Sequence, residues 1–206
     1  MSAASRDSRP AATVRRAVRL GALTAAAALA LAACGAGGTS GGSGNTNFVT
    51  SKDGISTVKS ADRKPGPEIS GKTLQGEPLD LADLRGKLVV LNVWGSWCPP
   101  CRAEAPGFVK VAKATGPKGV EFVGLNTRDT GTGPAKRFEE NFGVPYPSLY
   151  DPAGRLMLRF PKGTLNPQAI PSTLVLDRKG RVAARSLQPL SGEDLRKMLD
   201  PLIAEK

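Results

Sequence analysis

Val89-Val90-Leu91-Asn92-Val93-Trp94 runs through Gly95-Ser96-Trp97 into Cys98-Pro99-Pro100-Cys101, then Arg102-Ala103-Glu104-Ala105-Pro106. The first six residues are apolar and β-branched apart from Asn92, and they have the length of a strand. That pattern predicts a strand buried on both faces. Pro99 and Pro100 suit the first turn of a helix, where a missing N–H costs nothing and φ is already set. Cys98 therefore falls at the N-cap or beside it, where free backbone N–H groups and the helix dipole favour a thiolate over a thiol. A cysteine so placed has a pKa below the ordinary value of about 8.5, and the thiolate is the nucleophile. Cys101 lies one helical turn on, on the same side, close enough to close a small disulfide. One sulfur attacks a partner's disulfide and the other resolves the mixed intermediate. Cys98, ahead of the helix and expected to be the more exposed sulfur, is the candidate nucleophile; Cys101 is the candidate buried resolving thiol.

A Cys-x-x-Cys pair can also be half of a zinc site, but such a site needs four ligands. The chain has no histidine, and its one other cysteine, Cys34, is far away in a different kind of segment. No metal is expected. A purely structural disulfide closing so short a loop constrains little of the unfolded chain. Strand, turn and helix around the two cysteines favour redox chemistry.

The run Trp94–Pro106 resembles the active-site signature of the thioredoxin superfamily. It is most similar to the membrane-tethered extracytoplasmic branch, the TlpA/ResA/DsbE-like thiol–disulfide oxidoreductases, and the likeness extends from about Pro67 to the C-terminus. The resemblance implies a thioredoxin-like α/β fold, a mixed sheet flanked by helices with an N-terminal hairpin extension. It also makes Ile170-Pro171 the counterpart of the family's cis-proline loop, whose backbone pairs with an extended substrate chain. Trp97, Pro99, Pro100, Ile170 and Pro171 are then the substrate-binding candidates, and Trp94 shields the pair. The resemblance gives a glutamate at the position of Glu104 a part in acid–base chemistry. A second reading of Glu104, as a solvated surface residue paired with Arg102 or a lysine, stands beside it. Asn92 departs from cytoplasmic thioredoxins, which carry a buried aspartate there; an amide cannot relay a proton, so another base is needed.

The 206 residues suffice for one domain plus an N-terminal extension. Arg6, Arg9, Arg15, Arg16 and Arg19 precede the apolar run Leu20–Ala33, too short for a convincing membrane span. Leu31-Ala32-Ala33-Cys34 resembles a lipobox, so residues 1–33 read as a lipoprotein signal peptide and Cys34 as the lipidation site. Residues 34–64, beginning with the Gly/Ser-rich Gly35–Gly44, read as a flexible tether, and residues 65–206 as the thioredoxin-like domain. The full chain carries a formal charge of +11; beyond residue 33 it has 24 basic and 17 acidic residues. The positive charges are scattered, without a basic helix interleaved with aromatics, which argues against nucleic acid and fits an anionic membrane surface.

Within the domain, a hairpin is expected at Ile69–Leu74 with Gly76 and a helical turn at Leu79–Lys87. The Cys98 helix should run to about Thr115, and a strand should follow at Glu121–Asn126. A helix over Pro134–Asn141, a short strand Ser148–Tyr150 and a short helix Arg155–Phe160 come next. An antiparallel pair turns at Asp177–Gly180, and Ser191 and Asp194 open a last helix.

These readings predict a lipid-anchored oxidoreductase on the outer face of a bacterial membrane, exchanging thiols and disulfides with exported proteins. Its two sulfurs carry the electrons, so no cofactor is expected. A reductant for apocytochrome c thiols, recharged by a membrane thiol donor, is one direction; an oxidant that installs disulfides is the other. Thiol peroxidases share the approach through Gly86-Lys87 but place a threonine three residues before the reactive cysteine, where this chain has Gly95. A copper chaperone would lack histidine and rich methionine ligands.

Overall fold

The computed structural model describes residues 46 to 205. Its centre is β5 (Leu88–Trp94), buried at all seven positions. Period-two alternation sends Leu88 and Val90 to one face of the sheet, and Val89, Leu91 and Val93 to the other. A strand buried on both faces needs covering on both, and the chain supplies it. On the first face Leu88 and Val90 pack with Phe108 and Val111 of α1 (Pro99–Thr115) and with Leu195, Met198 and Leu199 of α3 (Gly192–Ala204). On the second face Ile69, Leu81 and Met157 close over Val89, Leu91 and Val93. Each such side chain contributes on the order of 1.5–3 kcal/mol by leaving water.

Seven strands form the main sheet. They are β1 (Val49–Thr50), β2 (Ile55–Thr57), β5, β6 (Val120–Thr127), β7 (Ser148–Asp151), β8 (Ser172–Leu176) and β9 (Val182–Ser186), in the order β1-β2-β9-β8-β5-β6-β7. β5, β6 and β7 are parallel, while β8 is antiparallel to β5 and to β9. The crossover from β5 to β6 is α1; that from β6 to β7 is α2 (Thr132–Phe142). A separate hairpin of β3 (Ser70–Lys72) and β4 (Pro78–Asp80) covers the free edge of β7, with the Leu74 N–H donating to the Ser148 carbonyl at 2.8 Å. This is the thioredoxin-like α/β fold, with its mixed sheet and hairpin.

The structure departs from the sequence reading at three places. Residues 34–64 read as tether, yet Val49–Thr57 forms two strands of the sheet, and Ile55, Val58 and Arg63 are buried. Ile55 joins the α3 face of the core, and one apolar residue among polar neighbours leaves no periodic signal. The expected helix Arg155–Phe160 is a 3₁₀ turn at Met157–Arg159, because buried Asp151 accepts from the N–H groups of Arg155, Leu156 and Met157 and winds that segment tightly. Both cysteines are buried, as shown below. Cys34 and Gly35–Gly44 lie outside the described residues. No helix among the described residues is long and apolar enough to cross a membrane.

Candidate active site

Cys98 is the N-cap of α1: Pro99 and Pro100 open the helix, and the Cys101 N–H points at Cys98 Sγ from 3.2 Å. The two cysteines form a disulfide, S–S 2.08 Å, with Cα atoms 5.3 Å apart. Each is only 1 % exposed. Exposure therefore does not single out the nucleophile, contrary to the expectation that Cys98 is the more open sulfur. Cys98 packs with Leu74, Trp94 and Ile170, and the Ile170 carbonyl oxygen lies 3.9 Å from its sulfur. What distinguishes Cys98 is its place at the helix N-terminus and this neighbour.

The Ile170–Pro171 peptide is cis. Pro171 is buried, Ile170 half-buried, and Pro99 and Pro100 are exposed. Trp97, 47 % exposed, completes an apolar rim and donates from Nε1 to the Thr127 carbonyl at 3.2 Å. Of the five substrate-binding candidates, Ile170 lies against the Cys98 sulfur, while Trp97, Pro99 and Pro100 flank Cys98 in the chain and Pro171 follows Ile170.

The residues Gly95-Ser96-Trp97 are held from a loop that local reading missed. Buried Asp129 accepts from the Ser96 N–H at 2.9 Å, from the Ser96 hydroxyl at 2.5 Å and from Asn126 Nδ2 at 2.7 Å. A Cβ at Gly95 would collide with the Trp97 indole, so the tether leaves no room for a side chain three residues before Cys98. Trp94 stacks on Phe138, centroids 4.3 Å apart, and donates to Ser148 Oγ.

Glu104 is buried, and its surface reading fails: Arg102 lies over the Phe138 and Phe142 rings instead. Helical spacing places Glu104 one turn beyond Cys101, and strand parity places Asn92 beneath it. Asn92 Nδ2 donates to Glu104 Oε1 at 2.9 Å, and the Leu190 N–H donates to Oε2 at 3.2 Å. Burial pushes the carboxyl up from 4.5 to about 7, against the lowering influence of these two donors. Cys101 and Glu104 line one small cleft of about 10 Å³ with Asn92, Phe108 and Tyr146, about the size of a single water. A carboxylate half ionised near neutrality beside a buried sulfur can take up and return a proton. Burial also pushes the Tyr146 hydroxyl up, reinforced by Glu104 and Glu139.

Leu190 and Tyr146 could not have been found from their own neighbourhoods, since they reach Glu104 only through the fold. Thr173, whose Oγ1 is 3.3 Å from Asn92 Nδ2, sits opposite Asn92 in the β5–β8 register, and pairing of the two strands would have predicted it. Among the described residues no cluster of three or more His, Cys, Asp or Glu could hold a metal ion.

Residues 60–200 match the redoxin family model. The thiol:disulfide interchange protein HelX of Rhodobacter capsulatus is 35% identical over 144 residues, covering 68% of this chain and 76% of HelX. Among solved structures, a DsbF homologue from Corynebacterium diphtheriae superposes with a TM-score of 0.69 at 34% identity, over 77% of this chain and 100% of its own. A secreted thiol-disulfide isomerase from Corynebacterium glutamicum gives 0.68 at 34% identity, over 79% and 100%.

Proposed function

The chain belongs to the redoxin family and is a thiol–disulfide oxidoreductase, and from that premise we propose that it is a lipid-anchored extracytoplasmic reductant of exported proteins. The observation that carries the reading is the buried Cys98–Cys101 disulfide, with Ile170 against one sulfur and Glu104, with no cation beside it, in the cleft beside the other.

In the reduced protein the Cys98 thiolate attacks one sulfur of a substrate disulfide, forming a mixed disulfide and releasing the other substrate sulfur as a thiolate. Glu104 takes the proton from the Cys101 thiol. The Cys101 thiolate then attacks Cys98 Sγ, the Cys98–Cys101 disulfide forms, and the second substrate sulfur leaves as a thiolate. Two electrons have passed to the substrate, and its thiolates take up protons from Glu104 and water. Trp97, Pro99 and Pro100 bound the extended substrate, while the Ile170 backbone pairs with it beside cis-Pro171. Lipidation at Cys34, with residues 1–33 removed as a signal peptide, would hold the domain at the outer membrane face. The substrate class proposed is the oxidised haem-binding cysteine pair of apocytochrome c, which the reaction returns to thiols, with a membrane thiol donor returning the electrons. The secreted C. glutamicum isomerase supports an extracytoplasmic address. Against a peroxidase stands Gly95, where no threonine side chain fits.

The deciding experiment is the equilibrium reduction potential of the pair in the purified full chain, against dithiothreitol and glutathione buffers. A value near that of thioredoxin, about −270 mV or lower, supports the reductant, and one near −120 mV makes the chain a disulfide-forming oxidant. Trapping with Cys101→Ser should accumulate the mixed disulfide on Cys98; accumulation in Cys98→Ser instead would reverse the two roles.

A further inference from the structure

Both oxygens of Glu104 face donors. The Asn92 amide nitrogen points at Oε1 and the Leu190 N–H at Oε2. That arrangement suits a carboxylate, which only accepts, but not a carboxyl group, whose O–H must find an acceptor. The Leu190 N–H cannot become one. Tyr146 and Cys101 share the cleft and could accept, but Tyr146 makes no hydrogen bond to Glu104 and the Cys101 sulfur is a weak acceptor. No lysine or arginine lines the cleft; the titratable groups facing Glu104 are Cys101 from α1 and Tyr146 from the segment before β7, with Glu139 of α2 acting on Tyr146. The Asn92 side chain is the exception. An amide has nearly the same shape either way round, and a half-turn exchanges its donor face for its acceptor face. Thr173 matches that exchange: its hydroxyl now accepts from Asn92 Nδ2 at 3.3 Å, and a hydroxyl can equally donate.

We infer that Asn92 is a positioning residue that follows the proton on Glu104 by turning its amide over, with the Thr173 hydroxyl completing the pairing in both orientations. With Glu104 charged, the Asn92 NH₂ donates to Glu104 and to Thr173 Oγ1, as in the structure. With Glu104 neutral, the Glu104 O–H donates to the Asn92 carbonyl, and Thr173 Oγ1–H donates to the same oxygen. In both states Glu104 and Thr173 Oγ1 keep a partner on Asn92, so loss of these two hydrogen bonds does not oppose the movement of the proton between Cys101 and Glu104. An aspartate at position 92 could not do this, because two carboxylates would compete for one proton. The inference rests on the reading of Glu104 as the proton acceptor for Cys101, and its test separates the two.

The test is an NMR titration of the full chain with ¹³C-labelled glutamate and ¹⁵N-labelled asparagine, from pH 5 to 9. The expected result is that the Asn92 side-chain amide resonances shift with the same midpoint as the Glu104 carboxyl carbon. The nuclear Overhauser contact between the Asn92 NH₂ and the Glu104 side chain should fade at the acid end. If the Glu104 carboxyl titrates while the Asn92 contacts stay unchanged, the inference is overturned and the proton-acceptor reading survives. If Glu104 does not titrate in this range, both are overturned. A second variant reports independently: Asn92→Leu keeps the volume but removes the partner of Glu104 in both of its states, and should move the Glu104 midpoint by far less than the roughly tenfold, one pH unit, expected of a fixed donor to the charged form. A rise of a full unit in that variant would overturn the inference.

Discussion

Two carboxyl groups in this protein are buried alike, Glu104 and Asp177 each 5 % exposed, and they are held in opposite states. Asp177 sits at the turn between β8 and β9, at the strand ends remote from Cys98. Its oxygens accept from the Lys179 and Arg181 N–H groups, from the Arg181 guanidinium and from Arg63, which also grips Glu205 through two bonds of 2.6 Å. Burial pulls its pKa up, but the Arg181 contacts and then Arg63 outweigh that and hold it below the usual carboxylate range. Glu104 has only two neutral donors and no cation, and burial wins. Similar surface exposure thus accompanies a pinned charge at one end of β5, in a shallow turn lined by cations, and a titrating group at the other, set deeper among apolar side chains. Depth of burial and the partners together decide which, and only the titrating group can serve chemistry.

Removing the pinned charge is the strongest way to test the contrast. Asp177→Ala leaves Arg63 facing only the half-exposed Glu205 and uncaps the turn, so denaturant unfolding should show a loss of about 3–5 kcal/mol. Disulfide exchange per folded molecule should not change. The wild-type contribution is present above the unfolded pKa and fades as the pH falls through the depressed folded value. If this variant is as stable as wild type at pH 7 and unchanged in acid, the clasp is not what holds that end together.

Glu104 predicts the opposite slope. Its pKa is raised on folding, so the unfolded chain gives up the proton first, and stability falls as the pH rises from 4.5 to 7. The span corresponds to about 3 kcal/mol. Glu104→Gln should flatten that limb and exceed wild type in stability above pH 7, read from urea midpoints at pH 5 and 8. A variant less stable than wild type at pH 8 would mean that Glu104 is paired as firmly as Asp177.

The same variant should slow exchange at pH 7 by about 100-fold, the usual weight of a positioned acid–base group. Its rate should also lose the inflection near pH 7, measured by stopped-flow tryptophan fluorescence. The smallest effect belongs to Arg102→Ala, which removes the cation from the Phe138 and Phe142 rings and should cost about 0.5–1 kcal/mol. The pH profile should keep its inflection. A shifted inflection would show Arg102 to be the partner of Glu104 after all.

Much of this was open to reading along the chain. The nearly continuous apolar, largely β-branched run of Val89–Trp94 and the two prolines after Cys98 are local causes, and the strand and N-cap they predict are present. Ser191 caps α3 by accepting from the Asp194 N–H, again within four residues. The ordered Val49–Thr57 was not legible, because β2 exists by pairing with β9, far along the chain, and β1 by pairing with β2. Nor was the environment of Glu104, whose sequence neighbours equally suit a surface residue.

The sequence by itself determined the dithiol, its seat at a helix N-terminus, the order of strands and helices from the central strand onward, and the basic charge. All of these follow from interactions spanning a few residues. Only the tertiary structure decided which carboxyl groups stay charged. Asn92 reaches Glu104 across 12 residues and Leu190 across 86, while Arg63 reaches Asp177 across 114. Desolvation and ion pairing depend on what the completed fold places within a few ångströms, and no local stretch of chain contains that information.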